Sequence, residues 1–224
     1  MTTPVADYTI VIPAYNEEES LRSILPRLIG LEGCREIVVV DDGSTDRTAD
    51  VARELGATVV RHPSNRGYGA ALKTGTRQTS GSIVVWFDAD GEHPEGSIAE
   101  LVRPVAEDRL DANLGRRRPC SPLDPVRLPG RWLLVLLGRW ITRRRIPDMN
   151  CGLRCFRRDV ILSCLDRLPD GFSASSTSTI LLFQHGFRVG FHNISCGRRT
   201  RRSALRCMKD GVASLRSILS VVCR

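Results

Sequence analysis

The segment "EIVVVDDGSTDRTADVARELG" (36–56) decides how the rest of the chain is read. Residues 36–40 are rich in β-branched side chains and predict a strand. Residues 44–56 have helical spacing, with Ser44 or Thr45 available to cap the start and Gly56 to follow the end. The same strand–turn–helix unit recurs on either side. "YTIVIPA" (8–14) precedes "EEESLRSILPRLIGL" (17–31), a helix that Pro26 is expected to shorten or kink. "TVVRH" (58–62) precedes "GYGAALKTGTRQT" (67–79), and "SIVVWFDA" (82–89) is a further strand. Alternation of this kind, with nearly continuous apolar strands, predicts an α/β, Rossmann-like fold. Its sheet is mostly parallel, with helices on both faces and right-handed crossovers.

After residue 100 the pattern loosens. "SIAELVRPVAED" (97–108) reads as a helix and "LDANLG" (110–115) as a short strand. Residues 116–130 read as a proline-rich loop, followed by a basic helical stretch to 145. "GLRCFRRDVILSCLDRL" (152–168) starts extended and becomes helical; "TSTILLFQHG" (177–186) is a helix and "FRVGFHNI" (187–194) a strand. The tail, 196–224, is basic and reads as helical from about Ser203.

In open α/β sheets ligands bind beyond the carboxyl ends of the strands. "AYNEEE", "DDGSTD" and "DADGEHP" all stand at such ends, so three acidic clusters converge on one edge. Asp88 and Asp90, one residue apart, repel each other unless a cation relieves them, and hard oxygen ligands suit Mg²⁺ or Mn²⁺. Because Mg²⁺ is usually held by one or two carboxylates plus substrate phosphates, the pair suggests a phosphate-bearing substrate. Taken alone, Asp-Gly is also a common turn signal. The acids at the strand ends equally suit ribose or base contacts, as in dinucleotide folds. That rival needs G-x-G-x-x-G after the first strand, where this chain has "PAYNEEES".

With 224 residues, 42% of them apolar, the chain can bury one substantial core without disulfides. Its eight cysteines include no CxxC pair, which favours reduced, buried thiols in a cytoplasmic protein. No signal peptide is visible, since the N-terminus turns acidic before an apolar stretch develops. The net charge of +8 invites a polyanion or an anionic membrane surface. Nucleic acid fits poorly, because aromatic residues do not interleave with the arginines. "WLLVLLGRWI" (132–141) is half the length of a membrane span. With Arg131 before it and Arg143, Arg144 and Arg145 after it, it reads either as an interfacial helix or as a core helix with basic ends.

Together "IVIPAYNEEESL", "VVVDDGSTDRT", "NRGYGAALKTG", "DADGEHP" and "DMNCGLRCFRRD" resemble the inverting glycosyltransferases of family two, which have the GT-A fold. Within that family the likeness is to the branch of dolichol-phosphate mannosyltransferases and other polyprenyl-phosphate glycosyltransferases. The resemblance covers most of residues 7–190. It implies a glycosyltransferase domain over 1–195, with a nucleotide-sugar half (7–115) and an acceptor half (116–195), and leaves 196–224 as a basic tail. It also implies a nucleotide-sugar donor, GDP-mannose or UDP-glucose, a diphosphate bridged by Mg²⁺ or Mn²⁺, and a lipid phosphate acceptor reached by peripheral membrane contact. Carried over by position, Pro13, Ala14, Tyr15, Glu17, Val40, Asp42 and Lys73 would cradle the donor nucleotide. Asp88 and Asp90 would hold the metal, with Ala89 in backbone contact between them. Glu92, where this branch often has Gln, would be a further or water-mediated ligand.

A hydroxyl acceptor needs a general base, whereas a phosphate is already ionised near neutral pH and needs cations to hold it. Acids between 112 and 165 are few; Asp148, at the head of "DMNCG", could serve as a base. Arg116, Arg117, Arg118, Arg127 and Arg131 offer forked donors suited to phosphate. The resembling branch contacts the acceptor phosphate through G-x-R after the fifth strand, which puts Arg117 of "GRR" in that role alongside Asp88 and Asp90 in catalysis. Arg127 is the second contact, and Gly130 or Arg131 replaces a later Ser. The same arginines also fit a solvated loop or a patch drawn to anionic lipid. Departures from the branch are Thr177 in place of a helix Glu, and Arg201 and Ala204 in the tail motif that keeps Arg199 and Ser203. Arg199, Arg202 and Lys209 would reach the diphosphate from the tail. These departures keep open a catalytically silent scaffold, and a transferase acting on a hydroxyl is a further alternative.

Overall fold

The computed structural model describes residues 7–117, 135–136 and 138–195. In chain order the elements are β1 (Tyr8–Ala14), α1 (Glu18–Ile29), β2 (Cys34–Asp41), α2 (Thr48–Glu54), β3 (Thr58–Arg61), α3 (Tyr68–Gln78), β4 (Ile83–Trp86), α4 (Ser97–Ala106), β5 (Ala112–Arg117), β6 (Arg154–Arg157), α5 (Arg158–Cys164), α6 (Ala174–Gln184) and β7 (Val189–Ile194). They form one seven-stranded sheet in the order β3-β2-β1-β4-β6-β5-β7. Strands β1 to β4 pair in parallel, β6 runs antiparallel to both β4 and β5, and β7 pairs in parallel with β5. Only β6 is therefore reversed among the described strands. The α/β, mostly parallel architecture expected from the sequence is the one observed.

Alternation along β1 assigns the two faces. Ile10 and Ile12 join a cluster with Leu21, Ile24, Leu25 and Leu28 of α1 and Ile98, Leu101 and Val105 of α4. Val11 faces the other way, onto Leu72 of α3, Trp86, Phe156, Ile161 of α5 and Ile180 and Leu181 of α6. Burying each of these aliphatic side chains is worth about 1.5–3 kcal/mol against leaving it in water, so both helix layers are needed to seat β1. All seven residues of β1 are buried, as expected for a central strand with both faces covered.

Two helices differ in detail from their expected bounds. Helix α1 runs through Pro26 to Ile29. Pro26 lies on the exposed face, where water can satisfy the Arg22 carbonyl that loses its partner. Helix α2 begins at Thr48, four residues after Ser44, because Ser44 and Thr45 are used elsewhere. Ser44 Oγ accepts the Asn16 N–H at 2.9 Å, and the Thr45 N–H donates to Asn16 Oδ1 at 2.8 Å. These bonds tie the β1–α1 loop to the β2–α2 loop.

Residues 135–136 and 138–142 are helical. Val135 and Ile141 pack against the core, while Leu136 and Trp140 are exposed, Trp140 by 76%. One face of this stretch docks on the core and the other is exposed. No helix among the described residues is long and apolar enough to cross a membrane.

Candidate active site

The carboxyl ends of β1, β2, β4 and β5 open on one edge, and reversed β6 starts there. Strand order turns back at β1, so the crevice between β1 and β4 is the switch point of the sheet. Pro13 and Ala14 end β1 in register with Val40 and Asp41 of β2. Asn16 takes a left-handed φ of 55° to turn the chain into α1. The Glu17 N–H donates to Thr48 Oγ1 at 2.9 Å, and the Glu17 carboxylate accepts from Ser20 Oγ at 2.6 Å. Tyr15 stands exposed at the rim.

The acids of "DDGSTD" prove to be largely internal fasteners. Asp41 is fully buried; its Oδ1 accepts the Ser44 N–H at 2.9 Å and its Oδ2 lies 3.1 Å from Arg61 Nε. Asp42, expected at the nucleoside, accepts the backbone N–H groups of Arg66 (2.9 Å) and Gly67 (2.8 Å) and sits 2.6 Å from His62 Nδ1. His62 Nε2 in turn lies 2.9 Å from Thr74 Oγ1. Asp42 therefore pins the loop that leads into α3. Asp46 accepts the N–H groups of Thr48 (3.0 Å) and Glu18 (3.4 Å). Lys73, also expected at the nucleotide, has its ammonium 3.1 Å from the Leu168 carbonyl and 2.5 Å from Asp170, fastening α3 to the loop before α6.

Strand β4 ends at Trp86, and Phe87 continues the chain to Asp88. The Tyr68 hydroxyl donates to Asp88 Oδ1 at 2.8 Å, and His93 Nε2 lies 3.5 Å from Asp88 Oδ2. Burial and the neighbouring Asp88 push the Tyr68 phenol well above its usual range, so it stays protonated and able to donate. Phe172 stacks on Tyr68 with ring centroids 5.5 Å apart. Gly152 lies against the Asp88 carboxylate so closely that a Cβ there would overlap it. Ala89 is buried, and Asp90 Oδ1 accepts the Glu92 N–H at 3.0 Å, closing a tight turn.

Hard carboxylate oxygens on Asp88 and Asp90 fit a divalent cation. Among the described residues, however, no three His, Cys, Asp or Glu side chains gather as a metal cluster. The expected trio of Asp88, Asp90 and Glu92 is thus not assembled by side chains alone. The Glu92 carboxylate instead lies within electrostatic reach of Arg117. A cation at Asp88 and Asp90 fits as the kind that completes its shell with phosphate oxygens and water.

Arg117, the last residue of β5, is gripped by Asp148: Nε to Oδ2 is 2.8 Å and Nη2 to Oδ1 is 3.1 Å. This bidentate pair is largely buried. Asp148 also accepts the Asn150 N–H at 3.0 Å. Asp148, which the sequence offers as a possible base, thus has both carboxylate oxygens engaged by Arg117. Arg127 and Arg131, and the tail residues Arg199, Ser203 and Lys209, lie outside the described residues. Thr177 is buried in α6. The sequence reading missed Tyr68, His93, Gly152 and Arg154. All four lie inside quoted motifs, His93 three residues after Asp90.

The sequence model described as "Glycosyl transferase family 2" matches residues 9–163. An uncharacterized protein of Methanocaldococcus jannaschii is 33% identical over 188 residues, covering 80% of this chain and 77% of the relative. An undecaprenyl-phosphate 4-deoxy-4-formamido-L-arabinose transferase of Serratia proteamaculans is 34% identical over 179 residues, 73% of this chain and 54% of that protein. The chain thus spans about half the length of that transferase. Among solved structures, glucosyl-3-phosphoglycerate synthase from Mycobacterium tuberculosis with Mn²⁺, UDP and glucosyl-3-phosphoglycerate superposes with a TM-score of 0.80 at 25% identity, covering 96% of this chain and 79% of the other. With a match over most of its length and a shared fold, the chain belongs to glycosyltransferase family 2 and is a glycosyltransferase of the GT-A fold.

Proposed function

We propose that this glycosyltransferase moves a hexose from a nucleotide sugar, GDP-mannose or UDP-glucose, to a polyprenyl phosphate with inversion at the anomeric carbon. The observation that carries this reading is the bidentate Arg117–Asp148 pair: the acid best placed to be a base is locked, while a cation is held at the edge where the acceptor would enter. An acceptor that is already anionic needs no base, and its oxygen attacks directly. The lipid phosphate acted on by the undecaprenyl-phosphate relatives supports this acceptor class.

Asp88 and Asp90 would hold the Mg²⁺ or Mn²⁺, which when bound supplies Lewis-acid stabilisation to the departing nucleoside diphosphate. Tyr68 orients Asp88 through its hydroxyl, and Gly152 leaves space for that carboxylate. Tyr15 would flank the nucleoside from the rim, and Pro13, Ala14, Val40 and Ala89 would line its floor with backbone and small side chains. Glu17 and Asp42 would shape this donor pocket through the loops they fasten rather than by direct contact. Arg117 would steer the acceptor phosphate, with Arg127 and Arg131 as further contacts. Exposed Leu136 and Trp140, beside Arg139, Arg143, Arg144 and Arg145, would rest on an anionic membrane surface where the lipid acceptor resides.

A second reading, transfer to a small phosphorylated hydroxy acid, is favoured by the fold match to glucosyl-3-phosphoglycerate synthase. The test is a screen of labelled nucleotide sugars against polyprenyl phosphate in detergent and against 3-phosphoglycerate, with Mn²⁺ or with chelator. Metal-dependent labelling of the lipid is expected, and Asp90→Ala should abolish it while leaving the circular dichroism spectrum unchanged. Labelling of phosphoglycerate alone would transfer the assignment to the second reading. Undiminished turnover in the Asp90→Ala protein would remove Asp90 from the metal site.

A further inference from the structure

We infer that Arg154 is a positioning residue that holds the donor and acceptor halves of the active site in register. Arg154 opens β6 and is fully buried. Its Nε donates to the Cys151 carbonyl at 2.6 Å and its Nη2 to the Met149 carbonyl at 2.6 Å. Its Nη1 donates to Ser178 Oγ at 3.1 Å and Thr179 Oγ1 at 2.8 Å, both on α6. All four acceptors are uncharged. Taking a guanidinium out of water costs several kcal/mol, and neutral hydrogen bonds offset only part of that. Burial accordingly pulls the Arg154 pKa below its usual value, while nearby Asp148 and Asp88 act in the opposite direction. Two of the carboxylates whose field reaches the buried cation are thus ones that serve the site.

The two carbonyls that Arg154 grips bracket Asn150. The residue before them, Asp148, clamps Arg117 of the acceptor side. The residue after them, Gly152, lies against Asp88 of the donor side. One planar fork thus fixes the 148–152 segment at two points, and a shift of that segment displaces Arg117 and Asp88 together. Lysine keeps the charge but has no rigid fork to span two carbonyls.

The inference rests on the donor and acceptor roles proposed above, and the experiment separates the two. Wild type, Arg154→Lys and the double variant Ser178→Ala/Thr179→Val are compared in three ways: calorimetry with UDP plus Mn²⁺, steady-state transfer, and thermal unfolding. The double variant leaves Arg154 and both loop carbonyls in place and removes only the anchoring from α6, so it decides the question if Arg154→Lys does not fold. Expected results are a kcat lowered about tenfold or more in Arg154→Lys and about threefold or more in the double variant, with donor KM raised in step. UDP–Mn²⁺ affinity should weaken in parallel with kcat in both variants. Folded variants with wild-type kcat and wild-type UDP–Mn²⁺ affinity would overturn the inference alone. A wild type that binds no UDP with Mn²⁺ would overturn the proposed donor site, and this inference with it.

Discussion

The hydroxyl of Tyr68, in the first turn of α3, donates to Asp88 Oδ1, just beyond the end of β4, at 2.8 Å. This bond crosses the mouth of the crevice and joins the loop pinned by Asp42 to the carboxylate proposed to bear the cation. Tyr68→Phe removes the donor but keeps the ring stacked on Phe172. The cost in stability should be about 1 kcal/mol, because Asp88 retains some solvent access and His93 beside it. Transfer should fall about tenfold, since the carboxylate loses its orientation. Steady-state kinetics beside a denaturant titration would check this; a Phe variant with unchanged kcat would show that Tyr68 does not orient Asp88.

Gly152 has no room for a side chain. The atoms that a Cβ would strike belong to the mobile end of Asp88, not to backbone. In Gly152→Ala the carboxylate should therefore swing aside at little cost to the fold, and metal-dependent nucleotide binding should be lost. Calorimetry with UDP and Mn²⁺, paired with a melting curve, distinguishes displacement of Asp88 from general collapse. A variant that melts like wild type and binds both ligands normally would contradict the packing argument.

The parallel sheet and its acidic edge could be read from residues 8–90 because each strand is a run of β-branched residues and each turn is polar. Central burial on both faces makes such strands stand out. The reversal at β6 could not be read this way. "RCFR" is too short and too polar for a hydropathy pattern, and its place is set by pairing with β4 and β5. Arg154 was hidden for a related reason: arginine in a pattern reads as surface, and only the tertiary fold reveals the carbonyls and hydroxyls that surround it. The Asp148–Arg117 pair joins residues 31 apart in the sequence. The motifs put both residues near the site but said nothing of their contact. Asp42 shows a further gap: its motif suggested a ligand contact and gave no sign of the three protein partners that the fold supplies.

A different ion pair contributes to acid stability. Arg188 Nε donates to Asp111 Oδ2 at 3.1 Å, Arg188 Nη2 donates to Oδ1 at 2.9 Å, and the Arg188 N–H adds a bond to Oδ2 at 2.7 Å. The Arg188 guanidinium holds the Asp111 carboxyl below the usual carboxylate range. A depressed folded-state pKa means that the pair contributes fully above the unfolded value of about 3.9 and loses its contribution as pH falls through the lower folded value. Asp111→Asn should therefore be less stable than wild type at neutral pH, and the gap should close as the solution is acidified below about pH 4. Denaturant midpoints at neutral and acid pH would measure this; a gap that is constant with pH would exclude the Asp111 charge as its source.

Trp140 is 76% exposed and Leu136 53% exposed, on a helix whose other side packs through Val135 and Ile141. Both are large apolar groups facing solvent beside a run of arginines, the composition of a surface that lies at a lipid interface. Neither side chain supports the core, so Leu136→Ala/Trp140→Ala should change stability by no more than about 0.5 kcal/mol. If the helix rests on lipid, the same change should lower partitioning onto vesicles of phosphatidylglycerol and phosphatidylcholine by about tenfold or more, because an aromatic and a branched chain no longer enter the interface. Raising salt should weaken wild-type binding further by screening the arginines. Turnover should follow the same split: unchanged with a short-chain, water-soluble prenyl phosphate and reduced with acceptor embedded in vesicles. Equal vesicle partitioning by wild type and the double variant would mean that this helix is not the membrane contact.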